Sequence, residues 1–180
     1  YLMDKSHRLG GSALQIHETW QGENVSQNLN QLIAAIKADK NIDIFTDSEI
    51  TRAEGFVGNF KTTIKMADQT KELAHGVTII ASGARELKPD QYFYGHDNRV
   101  LTGLELDGQL IENDPALLNK NTTLFVQCVG SRIPERPYCS KVCCTHSIKN
   151  ALQLKKLKPE MDVYILYRDM RSYGLREDLY

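Results

Sequence analysis

Between residues 24 and 38, in NVSQNLNQLIAAIKA, the apolar side chains Val25, Leu29, Leu32, Ile33 and Ile36 recur three and four positions apart. That spacing places them on one face of an amphipathic α-helix, with Ser26 near its start as a candidate cap. The following NIDIFTDSEI changes period, with Ile42 and Ile44 alternating with polar neighbours, which predicts a strand that leads through GFVGNFKTTIKM into further β structure. HGVTIIASGAR then presents an almost wholly apolar run, Val77 to Ala81, cut off by Ser82-Gly83. Strands buried on both faces of a parallel sheet read this way. Residues 85–120 are irregular and polar, punctuated by Pro89, Gly95, Gly103, Gly108 and Pro115, with a short helical stretch near Gly103 to Ile111. Beyond them lie an apolar strand in TTLFVQCVG, a helix in CTHSIKNALQLKKLK and, after Pro159, a strand in DVYILY. Strand, helix and strand in this order predict a βαβ unit with parallel strands and place the chain in the α/β class.

Composition narrows the function classes. The 180 residues carry 22 Lys+Arg against 23 Asp+Glu, a formal net charge of -1, and no segregated basic face, so nucleic acid is not an expected partner. No apolar run approaches the roughly 18 residues that span a bilayer, and no secretory signal opens the chain, so the expectation is a cytoplasmic protein without direct membrane insertion. The chain begins at Tyr1, its opening YLMDKS reads as the last residues of a strand, and DVYILY lies close to the other end. Both ends predict an internal piece of a longer protein.

All four cysteines, Cys128, Cys139, Cys143 and Cys144, fall within 17 positions in the pattern C-x10-C-x3-C-C. A disulfide framework would spread its cysteines to close long loops, and two adjacent cysteines bridge only with strain. Four thiolates are what a cubane iron–sulfur cluster or a tetrahedral zinc requires. Successive cysteines are awkward around one ion because their side chains diverge, whereas a cubane offers separate iron corners. The spacing therefore favours the cluster, with a noncatalytic interaction module stabilised by zinc on the four cysteines as the alternative and unligated thiols as a third reading. Cys128 closes the predicted strand and the other three sit at the entrance of the next helix. In open α/β sheets ligands bind there, because free N–H groups and the helix dipole favour anions. His146 reads as a capping or packing residue of the same helix.

A second constellation is Asp4, Gly10-Gly11 and Ser82-Gly83. An acidic residue at a strand end followed by a glycine pair is what a dinucleotide fold uses at the ribose and pyrophosphate. No G-x-G-x-x-G turn accompanies it, and a solvated Asp beside an ordinary turn accounts for the same residues. The basic residues Arg85, Lys88, Arg132, Arg136, Lys141, Lys149, Lys155, Lys156 and Lys158 read mostly as a solvated helix face, and no side chain suggests itself as a general acid or base.

Several strings, namely HGVTIIASGA, YFYGHDNRVLTGLEL, FVQCVGSR, RPYCSKVCCTHSIKNALQLK and VYILYRDMRSYGLREDLY, resemble the A-subunit family of heterodisulfide reductase, flavin and iron–sulfur proteins from anaerobic archaea and bacteria. The resemblance covers nearly the whole chain and is most specific from CVGSR through the paired cysteines to YRD-R-YG. It implies a Rossmann-like FAD/NAD(P)-binding fold of the thioredoxin-reductase type, truncated at both ends. Residues 1–112 would be the C-terminal part of the FAD-binding domain, and 113–180 a second nucleotide-binding-like βαβ unit carrying the cysteines.

Carried over residue by residue, the resemblance implies that Asp4, with Lys5 beside it, lies at the adenosine ribose, that Gly10 and Gly11 run along the FAD, and that Ala81, Ser82, Gly83 and Ala84 form a second flavin-contacting turn. Cys128, Cys139, Cys143 and Cys144 would hold a [4Fe–4S] cluster. The family's first Rossmann strand and glycine-rich turn would precede Tyr1, and ferredoxin-like cluster motifs would follow Tyr180. CVGSRIPERPYCSKVCC stands where related flavoproteins carry a nicotinamide fingerprint, which implies that electrons reach the flavin through iron–sulfur centres. The implied function is electron transfer by an oxidoreductase acting on sulfur groups, by flavin-based bifurcation in the parent complex, the isolated fragment being inactive. Implied partners are other heterodisulfide-reductase-type subunits, an electron-donor protein and a second copy in a homodimer.

Overall fold

The computed structural model describes residues 1–179. The chain forms two compact units, one of residues 1–14 and 26–84, the other of residues 15–25 and 85–180.

The first unit begins with β1 (Leu2–Met3), passes through helix α1 (Val25–Ala38) and returns in β2 (Ile44–Phe45), which pairs parallel to β1. The helix is the one its periodicity predicts. Gly10 shows how tightly it seats: at φ +123° a Cβ there would lie 2.9 Å from Leu14 Cγ and 3.0 Å from Leu29 Cδ2, so only glycine lets the loop lie against α1.

An antiparallel meander follows, of β3 (Ser48–Phe56), β4 (Asn59–Met66) and β5 (Gln69–His75), with β4 in the middle. Its inward face follows the strand period of two, because Thr62 and Ile64 of β4 are both buried, Thr62 opposite buried Leu73 of β5. Thr51 is an extra residue between the paired positions Ile50 and Arg52, a bulge that bends β3.

The apolar run Val77–Ala81 does not form the expected strand. Its backbone pairs with no strand among the described residues, and Ile79 and Ile80 are 87% and 85% exposed. A buried parallel strand exists only where a neighbour supplies ladder hydrogen bonds and a covering face, and this unit brings neither to the segment.

The second unit contains α2 (Gly103–Ile111), the single turn α3 (Pro115–Leu118), β6 (Thr122–Val126), α4 (Cys143–Leu157) and β7 (Asp162–Leu166). Strands β6 and β7 pair in parallel from Thr122↔Asp162 to Val126↔Leu166, which is the βαβ arrangement expected of the sequence and of the α/β class. Leu106 and Leu110 of α2, Leu154 of α4 and Met161 form a buried cluster, with Leu117, Phe125 and Val163 packed against it. Among the described residues no helix is long and apolar enough to cross a membrane.

Helix α2 starts in a reciprocal cap. Thr102 Oγ1 accepts from Glu105 N at 3.3 Å, and the Glu105 carboxylate accepts from Thr102 N at 2.8 Å. Burial pushes the Glu105 carboxyl up, but hydrogen bonds from Lys88, the Thr102 amide and Tyr94 outweigh it and hold it at about 2. A lowered folded value means that the cap contributes above the ordinary Glu range and is lost as pH falls toward 2. Thr102→Ala is expected to destabilise the protein by about 1 kcal/mol at neutral pH, read as a lower urea midpoint with an unchanged slope.

Candidate functional site

The four cysteines lie in the second unit and are all free thiols, Cys144 buried and the other three half-buried. β6 stops at Val126, so Cys128 does not close the strand. It sits two residues beyond it, in a turn. Gln127 N still donates to Leu166 O at 2.9 Å, after which Cys128 adopts φ +63° and Gly130 φ +66°, bending the chain away from the sheet. Ile133 and Arg136 then pair back to back as a tight hairpin, and Arg132 N donates to Tyr138 O at 3.3 Å. This return carries Cys139 back toward the start of the loop. Arg132 and Lys141 are also left-handed, at φ +57° and +61°. Three non-glycine residues in that region within one loop mark backbone held in a costly shape, a feature that concentrates at functional sites.

Helix α4 opens at Cys143 with Val142 as its cap residue and no side-chain cap bond, so the first-turn N–H groups and the positive end of the helix dipole face the cysteines unneutralised. Around the sulfurs are several donors. Cys139 Sγ accepts from Lys141 N at 3.3 Å, Cys143 Sγ lies 3.4 Å from Ser140 Oγ, and Cys128 Sγ accepts from Arg132 Nη1 at 3.9 Å. Burial pushes the Cys144 thiol up, a backbone hydrogen bond from Arg171 works against this, and the charges of Cys143, Cys128 and Cys139 raise it further. Among the described residues no three Cys, His, Asp or Glu side chains close around a single ion position.

The guanidinium of Arg132 also binds Asp169 Oδ1, and Arg171 Nε donates to Asp169 Oδ2 at 2.7 Å. The bonds from Arg171 and Arg132 hold the Asp169 carboxyl below the usual carboxylate range. Arg132, read from the sequence as part of a solvated face, is instead a paired residue of this loop.

Lys149 is a second correction to that reading. It is 7% exposed, and its Nζ donates to Asp107 Oδ1 at 2.8 Å and to Glu18 O at 3.2 Å. Asp107, on α2, is fully buried. It also accepts from His17 N at 3.3 Å, and its other oxygen binds His146 Nε2. Gly103 makes room for this, because a Cβ there would stand 3.0 Å from the His146 ring. Burial pushes the Asp107 carboxyl up, and the hydrogen bonds and charges of His146 and Lys149 more than reverse that. Nearby, Asn150 Oδ1 and His17 Nδ1 are buried without a hydrogen-bond partner, the Glu18 carboxylate lying 4.0 Å from His17 Nδ1. Sequence reasoning took His146 as a packing residue and overlooked Asp107 altogether.

In the first unit, Asp4 follows β1, and its Oδ1 accepts from Ser6 N at 2.8 Å, while Lys5 pairs with Glu49. Gly11 has open space around its Cα, as does Gly83 at φ +68°. Ser12 Oγ lies 3.5 Å from Ala84 O, so the loop that follows the glycine pair touches the end of the exposed 81–84 segment.

No known family model matches the chain. Individual proteins do. The A subunit of the H(2):CoB-CoM heterodisulfide,ferredoxin reductase of Methanothermobacter thermautotrophicus is 36% identical over 118 residues, 57% of this chain and 18% of that protein. The iron-sulfur A subunit of the CoB--CoM heterodisulfide reductase of Methanocaldococcus jannaschii is 23% identical over an alignment covering 97% of this chain and 40% of its own length. An Archaeoglobus profundus protein similar to the heterodisulfide reductase A subunit is 48% identical over 59 residues, 32% of this chain and 8% of its own. Among solved structures, L-proline dehydrogenase from P. horikoshii superposes with a TM-score of 0.46 at 13% identity, covering 97% of this chain and 32% of that one. The chain thus matches less than half the length of these relatives, and its sequence is similar to that of heterodisulfide reductase A subunits.

Proposed function

We propose that the chain is the part of an FAD and iron–sulfur oxidoreductase subunit that holds a [4Fe–4S] cluster on Cys128, Cys139, Cys143 and Cys144 and passes electrons between it and a flavin. The observation that carries this reading is the placement of four free thiols between a bent turn after β6 and the uncapped start of α4. The donor chemistry fits. All four sulfurs are uncommitted to disulfides, a backbone amide and a guanidinium already point at two of them, and the helix dipole lowers the cost of an anionic group. Four thiolates match the four iron corners of a cubane.

When bound, the cluster stores single electrons and the flavin exchanges one- and two-electron chemistry. The protein's share is to hold both groups and set their surroundings. Asp4 and Lys5 would lie at the ribose of FAD, Gly10 and Gly11 along its length, and Ala81, Ser82, Gly83 and Ala84 at its second contact, a grouping supported by the approach of Ser12 to Ala84. On this reading residues 1–112 would belong to an FAD domain and 113–180 to a second nucleotide-binding-like unit, a boundary that falls within the second compact unit, where Leu106 and Leu110 of α2 pack with Leu154 of α4. In the parent complex, the partners would be further subunits and an electron-donor protein, with bifurcation at the flavin coupling disulfide and ferredoxin reduction.

Anaerobic reconstitution of the 180-residue chain with ferrous iron and sulfide tests the central claim. About four irons per chain with a broad visible absorbance are expected for a cluster on four thiolates. One zinc per chain and a colourless protein would identify an interaction module instead.

A further inference from the structure

Asp169, just beyond β7, binds the guanidinium of Arg132 on one oxygen and that of Arg171 on the other, and Arg132 also reaches the sulfur of Cys128 at 3.9 Å. We propose that Arg132, Asp169 and Arg171 form a clamp that positions the cysteine loop and keeps fixed positive charge beside the sulfur of Cys128, making the group bound there easier to reduce. This rests on the cluster assignment above.

The geometry makes the three side chains one device. Arg132 is four residues beyond Cys128, inside the loop, whereas Asp169 and Arg171 come from the segment after β7. Their ion pairs therefore tie the loop across the end of the two-stranded sheet. Arg168 Nη1 adds a second tie, donating to Arg132 O at 2.7 Å. Arg132 Nη1 spans Asp169 Oδ1 and Cys128 Sγ at once, and Arg171 Nε holds Asp169 Oδ2, so the carboxylate anchors both guanidiniums by one charge-assisted bond each. Arg132 and Arg171 keep 21% and 31% of their side chains exposed, and Asp169 keeps 45%, so the arrangement is partly sheltered from screening by water.

Counting charges gives the direction. Two guanidiniums and one carboxylate leave a net single positive charge beside the sulfurs. Reduction adds one electron to an already anionic thiolate cluster, and donors aimed at its sulfurs favour the more negative state. Asp169 bonds both arginines, and Arg132 in turn bonds the Cys128 sulfur, so the carboxylate fixes them while cancelling only part of their field.

The test is a redox titration of the full chain reconstituted anaerobically, followed by electron paramagnetic resonance, with iron content measured on the same samples. At the potential where the wild-type cluster is half reduced, Arg132→Gln and Arg171→Gln are each expected to lower the ratio of reduced to oxidised cluster at least tenfold, about 59 mV for a one-electron couple. Arg132→Lys and Arg171→Lys keep the charge without the fork and are expected to fall between the glutamine variants and wild type. They remain informative should the glutamine variants fail to load. Iron-loaded variants of either kind with the wild-type ratio would overturn the clamp alone. Wild-type chain that takes up no iron would instead sink the ligand assignment on which it rests.

Discussion

Asp107→Asn is expected to destabilise the protein by about 3–5 kcal/mol, the cost typical of breaking a buried ion pair from one side. The substitution barely changes volume, so the loss is not a cavity effect. It removes the negative charge that faces Lys149 Nζ at 2.8 Å and His146 Nε2, so the buried ammonium keeps only neutral acceptors, the new amide oxygen and Glu18 O, and no countercharge. Urea unfolding would show the loss as a lower midpoint at constant slope. A loss under about 1 kcal/mol would mean that Lys149 swings out to water and that the pair contributes nothing specific. The pH dependence has a fixed sign. The folded carboxyl lies below its ordinary value, so its contribution is complete above about pH 4 and fades as pH falls through the lowered value. The wild type should lose stability over that acid range more steeply than the variant.

The legible parts of this fold were those whose signal is local. Helix α1 follows from Val25, Leu29, Leu32, Ile33 and Ile36, and α2 occupies the predicted 103–111 stretch. Strands β6 and β7 stand out as apolar runs on either side of a helical segment. Val77–Ala81 carries an equally strong local signal and forms no strand, because a parallel strand depends on what lies beside it and the run itself holds no information about that. Lys149 failed for the same reason. One lysine among several on α4 reads as solvated, and its burial is decided by Asp107, 42 residues earlier in the chain. A clue was present in α2, where Asp107 sits between Leu106 and Leu110, on the stripe that faces inward. An acid on an apolar stripe demands a buried cation. The cysteine cluster was legible from its count and crowding, but the arginines beside it were not, since they are paired by Asp169 from beyond β7, 37 residues after Arg132.

Serine in place of any one of Cys128, Cys139, Cys143 or Cys144 should reduce the iron content of the anaerobically reconstituted chain from about four to less than half of that, with loss of the visible absorbance. Serine is close in size but a far weaker ligand for iron than a thiolate. The adjacent pair makes the experiment decisive. Cys143 begins α4 half-buried with Ser140 beside it, whereas Cys144 is 4% exposed. A structural role for Cys144 alone would make its substitution the damaging one and leave Cys143→Ser fully loaded. A shared cluster requires both to fail together. Cys144→Ala separates packing from ligation, because it avoids the buried hydroxyl, which by itself costs about 1–3 kcal/mol. His146→Gln is the contrasting case. Its imidazole is committed to Asp107, so iron should stay bound while urea resistance falls. Full iron in any one of the four serine variants would remove that cysteine from the ligand set, and full iron in all of them would end the cluster reading.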